Sequence, residues 1–221
     1  MTINSDAENR QAKLDFMRAF FNDLDNKINF LSELYRDHRD EAKVLCSCYI
    51  DALSVALYWP DERNKFNFVR VLKEYGGEEI FLYIHPKKLE DALAKLITRS
   101  SKWKAIKAKT SQTLQQARGR LYTEQEIFDL LFPLLNNSEQ ENIKKELWRG
   151  SFAAIVYSEV RIPSVHWFGP PDGVTFDNTT FRGQPVPSIE FVTVYPCLKR
   201  IASIAREKSL ITEKWFGHDF E

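Results

Sequence analysis

The chain has 221 residues, 43% hydrophobic and 28% charged, a balance typical of a globular protein. Its 31 basic and 31 acidic residues cancel, which excludes a strong overall attraction to nucleic acid. The 8 Gly and 9 Pro are clustered, which argues against an all-β fold. No apolar run reaches the roughly 18 residues of a membrane span, and the N-terminus lacks a signal pattern. We therefore expect a cytoplasmic protein without membrane contact.

The three cysteines favour buried, reduced thiols over a metal site or a disulfide. Cys46 and Cys48 lie in one apolar stretch, where helical geometry turns their side chains about 200° apart. Thiols on opposite sides of one helix cannot bind the same metal ion, and Cys197 lies far along the chain. We expect no metal and no cofactor.

Two long helices are predicted at the N-terminus. Ser5 and Glu8 have the spacing of a capping box, and the apolar residues after them recur every three or four positions until about residue 38. A second amphipathic helix is predicted over about 40–59. A narrow polar stripe on this second helix contains Asp51.

Two further helices are predicted before the middle of the chain. One spans about 62–75 and stops at Gly76, because glycine commonly follows a helix. The short apolar stretch EIFLYIHP (79–86) is compatible with an extended segment. Pro86 then opens the next helix, because proline fits the first helical turn.

A basic run follows. The stretch 98–120 carries seven Lys or Arg residues and no acidic residue, which predicts a local basic patch, partly helical or in a loop. Thr123 and Ser138 are each followed three positions later by Glu, and these two capping boxes predict two more helices.

The sequence changes in character after His166. Gly, Pro and alternating apolar residues over 167–195 predict a small β-hairpin or ordered loop. A last helix is predicted over about 196–208. Because helices dominate and the links between them are short, we predict an all-α fold. It is one helical bundle domain over 1–221, with the insertion before the last helix.

One short motif carries candidate chemistry. In SEVRIPSVHWFG (158–169), Arg161 precedes His166 by five positions at the end of a predicted helix. Pro163 is expected to end or kink that helix at Ile162, because proline disfavours helical geometry in the residue before it. Both polar side chains would then lie at a helix terminus. In the structural alternative, Arg161 pairs with a carboxylate and His166 bonds a loop carbonyl.

The segment YSEVRIPSVHW (157–167) resembles the R-x4-6-H signature of HEPN domains, which occur in many prokaryotic toxins and defence proteins. CSCYIDALSVALYWPDERNKFNFVRVLKEYGG (46–77) resembles the region that such domains carry upstream. That region is a helix with a central Asp followed by an aromatic-rich helix. The resemblance implies an all-helical bundle that forms a homodimer. In active members, Arg and His from both chains cleave RNA without a metal ion.

By this resemblance, Arg161 and His166 are the expected catalytic residues. His166 would act as general acid and base, because imidazole titrates near neutral pH. Arg161 would clamp the phosphate. The resemblance implies RNA as substrate and an antitoxin or defence-system protein as a further partner. Ile162 stands where active members carry a polar residue, so the alternative is a catalytically inactive module for dimerisation or partner binding.

Other side chains are predicted to support this site. Asp51 lies in an apolar helix and needs a partner, either Arg161 or another donor. Glu159 is a carboxylate close to Arg161 in sequence. The basic run is predicted to bind RNA, with an indole stacked on a base, although a solvated charged face is the other interpretation. The residues of this run are Lys102, Trp103, Lys104, Lys107 and Lys109.

Overall fold

The computed structural model of the protein is mostly helical, with 76% of its described residues in helices. The structure describes residues 3–61, 63–98, 100–163, 174–176 and 178–217. A two-stranded antiparallel hairpin, β1 (Thr180–Phe181) and β2 (Gln184–Pro185), precedes the last helix. The predicted all-α class with a small hairpin before the last helix is therefore confirmed. No helix in the described ranges is long and apolar enough to cross a membrane.

The chain divides into two compact units. The first comprises Met1–Gly77, Arg161–Pro170 and Glu190–Glu221, and the second Glu78–Val160 and Pro171–Ile189. The assignment of 1–221 to a single domain stays a prediction.

Four helices that pack against one another form the first unit. They are α1 (Ile3–Asp37), α2 (Arg39–Leu57), α3 (Asn64–Tyr75) and α9 (Phe191–Thr212). Apolar side chains at helical spacing fill the space between them, and burying each contributes roughly 1.5–3 kcal/mol. The largest are Met17, Phe21, Ile28, Leu31, Ile50, Phe68, Leu72, Leu198 and Ile201.

Both end helices of the first unit begin earlier than predicted. Helix α1 starts at Ile3, two residues before the expected cap at Ser5. Helix α9 starts at Phe191 and contains Pro196, which was expected to open it. Proline leaves the carbonyl four residues earlier without its helical partner. That carbonyl belongs to Val192, whose residue is 63% exposed, so water can bond it.

The second unit contains shorter helices. They are α4 (Pro86–Ile97), α5 (Lys102–Gln116), α6 (Glu124–Leu131), α7 (Asn137–Lys144) and α8 (Phe152–Ile155). Three 3₁₀ turns connect them, at Glu79–Leu82, Phe132–Leu134 and Leu147–Gly150. The extended segment considered for 79–86 is present in part: Glu79–Leu82 form a 3₁₀ turn, whereas Tyr83 and His85 have extended backbone. Between them, Ile84 forms β-bridges to Tyr122 and Ser151.

The capping predictions for the second unit are half correct. The box at Thr123 is confirmed, since its hydroxyl accepts a hydrogen bond from the Glu126 amide at 3.1 Å. The box predicted at Ser138 is wrong, because α7 is capped by Asn136, whose side chain accepts from the Glu139 amide at 3.0 Å. Asparagine caps helices as well as serine does, and the cap two residues earlier leaves Ser138 inside the first turn.

A buried carboxylate fastens α4 to the end of α5. Glu90 accepts hydrogen bonds from Ser111, from Gln115 and, at 2.6 Å, from the Arg118 guanidinium. Burial alone would raise the pKa of Glu90, but the hydrogen bonds from Ser111, Arg118 and Gln115 lower it below its usual value. The carboxylate therefore stays charged and bonded within the second unit.

Candidate functional site

Arg161 closes a π-helix, a rare form of helix that often marks functional sites. The π-helix spans Val156–Arg161 and directly follows α8. Helical geometry continues through Ile162 and Pro163, so of the two predicted outcomes, an end or a kink, the end at Ile162 is wrong. His166 lies outside the described residues.

An ion pair within the first unit fixes the Arg161 guanidinium. Its Nη2 donates to Oδ2 of Asp51 on α2 at 2.7 Å. Each side chain is only 17% exposed. Charged partners in a largely water-free setting attract each other more strongly than on the surface, and the hydrogen bond fixes their mutual orientation. Asp51 was predicted to pair with Arg161 or with another donor, and in the structure its partner is Arg161.

The second oxygen of the Asp51 carboxylate is buried next to this pair. Among the described residues, Oδ1 has no hydrogen-bond partner. A buried acceptor without a donor costs roughly 1–3 kcal/mol, and such groups in native proteins commonly serve a ligand or a catalytic group. Asp51 can therefore orient Arg161 and still accept one more hydrogen bond.

The cysteine prediction is wrong for one thiol. Cys46 and Cys197 are buried as expected, whereas Cys48 is exposed, one helical turn before Asp51. Partial burial of its sulfur raises the pKa of Cys48, and the charge of Arg161 acts in the opposite direction. The surface beside the Asp51–Arg161 pair therefore includes an exposed thiol.

Glu159 forms an ion pair elsewhere. Its Oε1 lies 3.2 Å from Nζ of Lys88 on α4, within the second unit. The carboxylate is 39% exposed, so this pair adds little stability. The supporting role predicted for Glu159 stays a prediction. The carboxylate that accepts a hydrogen bond from Arg161 belongs to Asp51.

The predicted base-stacking residue is buried. Trp103 is 5% exposed and belongs to the core of the second unit. Its indole has no open face for a base, so this part of the prediction is corrected. On the outer face of α5, Lys102 donates to Asn142 at 2.8 Å and Lys109 pairs with Glu139 at 2.6 Å. RNA binding by the lysines, including Lys104 and Lys107, stays a prediction.

The burial of His85 was not predicted from the sequence. His85 occupies the N-cap position of α4 and is 5% exposed. Its Nε2 lies 3.2 Å from the Thr179 hydroxyl, and its ring contacts Phe176. Burial, assisted by the charge of Lys88, lowers the pKa of His85 to about 4. The apolar residues that flank His85 in the sequence were the signal that could have predicted its burial.

Acidification is expected to destabilise the protein through His85. Its folded pKa lies below the unfolded value of about 6.5, so its stabilising contribution is present above pH 6.5 and is lost towards pH 4. The loss between about pH 7.5 and pH 5 is about 2 kcal/mol. Urea unfolding at both pH values should show this loss in the wild type but not in His85→Gln. The control variant His38→Gln replaces an exposed histidine and should lose as much stability between these pH values as the wild type. Equal losses in wild type and His85→Gln would contradict the assignment.

In comparisons with protein-family models, curated proteins and solved structures, nothing matched the chain. Within the chain, the Asp51–Arg161 hydrogen bond links the segment 46–77 to the π-helix Val156–Arg161.

Proposed function

We propose that the protein is a metal-independent endoribonuclease of the toxin or defence type, built on a HEPN-like bundle. The observation that carries this proposal is the ion pair between Arg161 and Asp51. It connects the two segments that resemble HEPN domains, and it holds a guanidinium in one orientation five positions before His166. An oriented guanidinium is what a phosphate clamp requires.

The reaction uses the 2′-hydroxyl of RNA as nucleophile. This hydroxyl attacks the adjacent phosphorus and forms a new P–O bond, while the bond to the 5′-oxygen of the next nucleotide breaks. His166 takes the proton of the nucleophile or supplies one to the leaving oxygen. Arg161 offsets the charge that develops on the phosphate oxygens. The products are a 2′,3′-cyclic phosphate and a 5′-hydroxyl end.

Asp51 is a positioning residue in this mechanism. Its Oδ2 holds Nη2 of Arg161 at 2.7 Å, and its buried Oδ1 can accept one further hydrogen bond. The proposal includes a homodimer in which Arg161 and His166 of both copies contribute to the site. It also includes RNA as substrate and an antitoxin or defence protein as regulating partner.

A second candidate is a catalytically inactive HEPN-like module for dimerisation or partner binding. Ile162 favours it, because an apolar side chain follows Arg161 where active members carry a polar one. The ion pair also has a purely structural use in this candidate. RNA binding that is weak and insensitive to salt would support the inactive module.

The two candidate functions predict different results for cleavage of a labelled oligonucleotide. In a DNA strand with one internal ribonucleotide, the endonuclease is expected to cut only after that ribonucleotide, since only it carries the nucleophilic 2′-hydroxyl. Chelation by EDTA should leave the rate unchanged. An all-DNA strand is the matched control. Absence of cutting in ribonucleotide-containing strands and in total RNA, with or without the proposed partner, would favour the inactive module.

A further inference from the structure

The second unit contains a cavity of about 320 Å³ beside the hairpin, separate from the Asp51–Arg161 pair. Three parts of the chain line it: Tyr83, four residues between 120 and 126, and the hairpin residues 180–183. The four are Arg120, Leu121, Thr123 and Glu126. Backbone hydrogen bonds hold two of these segments together, since the Leu121 amide donates to the Thr180 carbonyl at 2.9 Å. The volume is at the small end of ligand sites and suits a molecule of mononucleotide size.

Two arginines line the cavity, together with the carboxylate of Glu126. Arg120 donates to Glu126 at 3.0 Å and lies over the ring of Tyr122, while Arg182 donates to Glu79 at 2.5 Å. Each guanidinium is paired with one carboxylate, Arg120 with Glu126 and Arg182 with Glu79. Because each guanidinium has five N–H donors, both retain donors for a phosphate. The two side chains are 52% and 65% exposed and are therefore accessible to a ligand.

The backbone of Arg182 adds an independent observation. Arg182 and Gly183 form the hairpin turn with φ values of 52° and 76°, both in the left-handed region. Asn, Asp or Gly usually occupies the first of these positions, and another residue there costs roughly 1–2 kcal/mol. A cation placed in an unfavourable backbone conformation at the rim of a cavity indicates a use for its side chain.

Aromatic rings form another wall. Tyr83 and Phe181 meet edge to face, with ring centroids 4.8 Å apart. The Tyr83 hydroxyl donates to Glu79 at 3.1 Å, the same carboxylate that holds Arg182. A ligand with a flat ring can pack on these aromatic side chains while its anionic group lies at the arginines.

We propose that this cavity binds a phosphate monoester that carries a flat ring and has about the size of a mononucleotide. Arg120 and Arg182 hold the phosphate, and Tyr83 and Phe181 contact the ring. The site belongs entirely to the second unit, whereas Asp51 and Arg161 belong to the first. This proposal therefore does not depend on nuclease activity.

Calorimetric titration of the full chain with 5′-AMP, adenosine and inorganic phosphate tests the site. We expect 5′-AMP to bind at least about tenfold more tightly than either fragment, because only it uses both walls. Arg182→Asn is the informative variant, since Asn suits the left-handed turn. It removes the guanidinium together with its contacts to Glu79 and the Phe181 ring. It should weaken 5′-AMP binding at least about tenfold without lowering the melting temperature.

A control separates this site from other charges. Arg18→Gln removes an exposed arginine of α1 and should bind 5′-AMP like the wild type. The proposal is overturned if Arg182→Asn binds 5′-AMP as tightly as the wild type. It is also overturned if 5′-AMP binds no tighter than phosphate or adenosine, or does not bind at millimolar concentration.

Discussion

Replacing Asp51 by Ala is expected to lower the free energy of unfolding by about 3 kcal/mol, because Arg161 would keep its charge in a site where each side chain is 17% exposed. Arg161→Ala should have a similar effect, since it leaves the carboxylate without the guanidinium. The measurement is urea unfolding followed by circular dichroism. The double variant Asp51→Leu/Arg161→Met removes both charges and should be more stable than either single variant.

An exposed pair provides the matched control for this cycle. Arg18 and Asp15 on α1 lie 3.0 Å apart, with side chains 54% and 59% exposed. Replacing either by Ala should change stability by less than about 1 kcal/mol, because water screens the pair. If Asp51→Ala costs no more than Asp15→Ala, the Asp51–Arg161 pair does not fix the guanidinium as described.

Replacing His166 by Ala is expected to lower the single-turnover rate of RNA cleavage by a factor of about 10²–10⁴, the usual contribution of a general acid or base. Affinity for RNA should change little, because phosphate contacts come from cationic side chains. His38→Ala is the control, since the His38 side chain is 60% exposed and lies at the start of α2. Equal rates for His166→Ala and wild type would remove His166 from the mechanism.

The size of the rate loss in Asp51→Asn distinguishes a positioning role of Asp51 from a direct catalytic role. Asp51→Asn keeps the shape of the side chain and weakens its hold on Arg161. We expect a smaller rate loss than for His166→Ala, about tenfold, with the substrate affinity preserved. Loss of affinity without any loss of the single-turnover rate would place Asp51 in RNA binding instead.

The elements predicted most accurately have a signal within a few neighbouring residues. Helix α1 follows from apolar residues every three or four positions, and the cap at Thr123 follows from a Glu three positions later. Signals from neighbouring residues do not predict the start of a helix correctly where contacts with residues distant in sequence determine it. Pro196 was expected to open a helix and instead lies inside α9.

The site itself depends on residues distant in sequence. Arg161 and Asp51 are 110 positions apart, and the sequence offered several carboxylates as partners for Arg161. Trp103 looked available for stacking because lysines surround it, but its own helix turns the indole into the core. His85 is buried by contacts with Thr179, 94 positions away. Burial depends on packing partners that no single stretch of sequence reveals.

The chemical identity of the product ends tests the central claim most directly. RNA incubated with the protein in EDTA, then analysed by mass spectrometry, should yield 2′,3′-cyclic phosphate and 5′-hydroxyl ends. The His166→Ala protein, prepared in the same way, should yield none above background. Fragments that end in a 3′-hydroxyl and a 5′-phosphate, or the same cyclic ends at the same rate from His166→Ala, would contradict cleavage by Arg161 and His166.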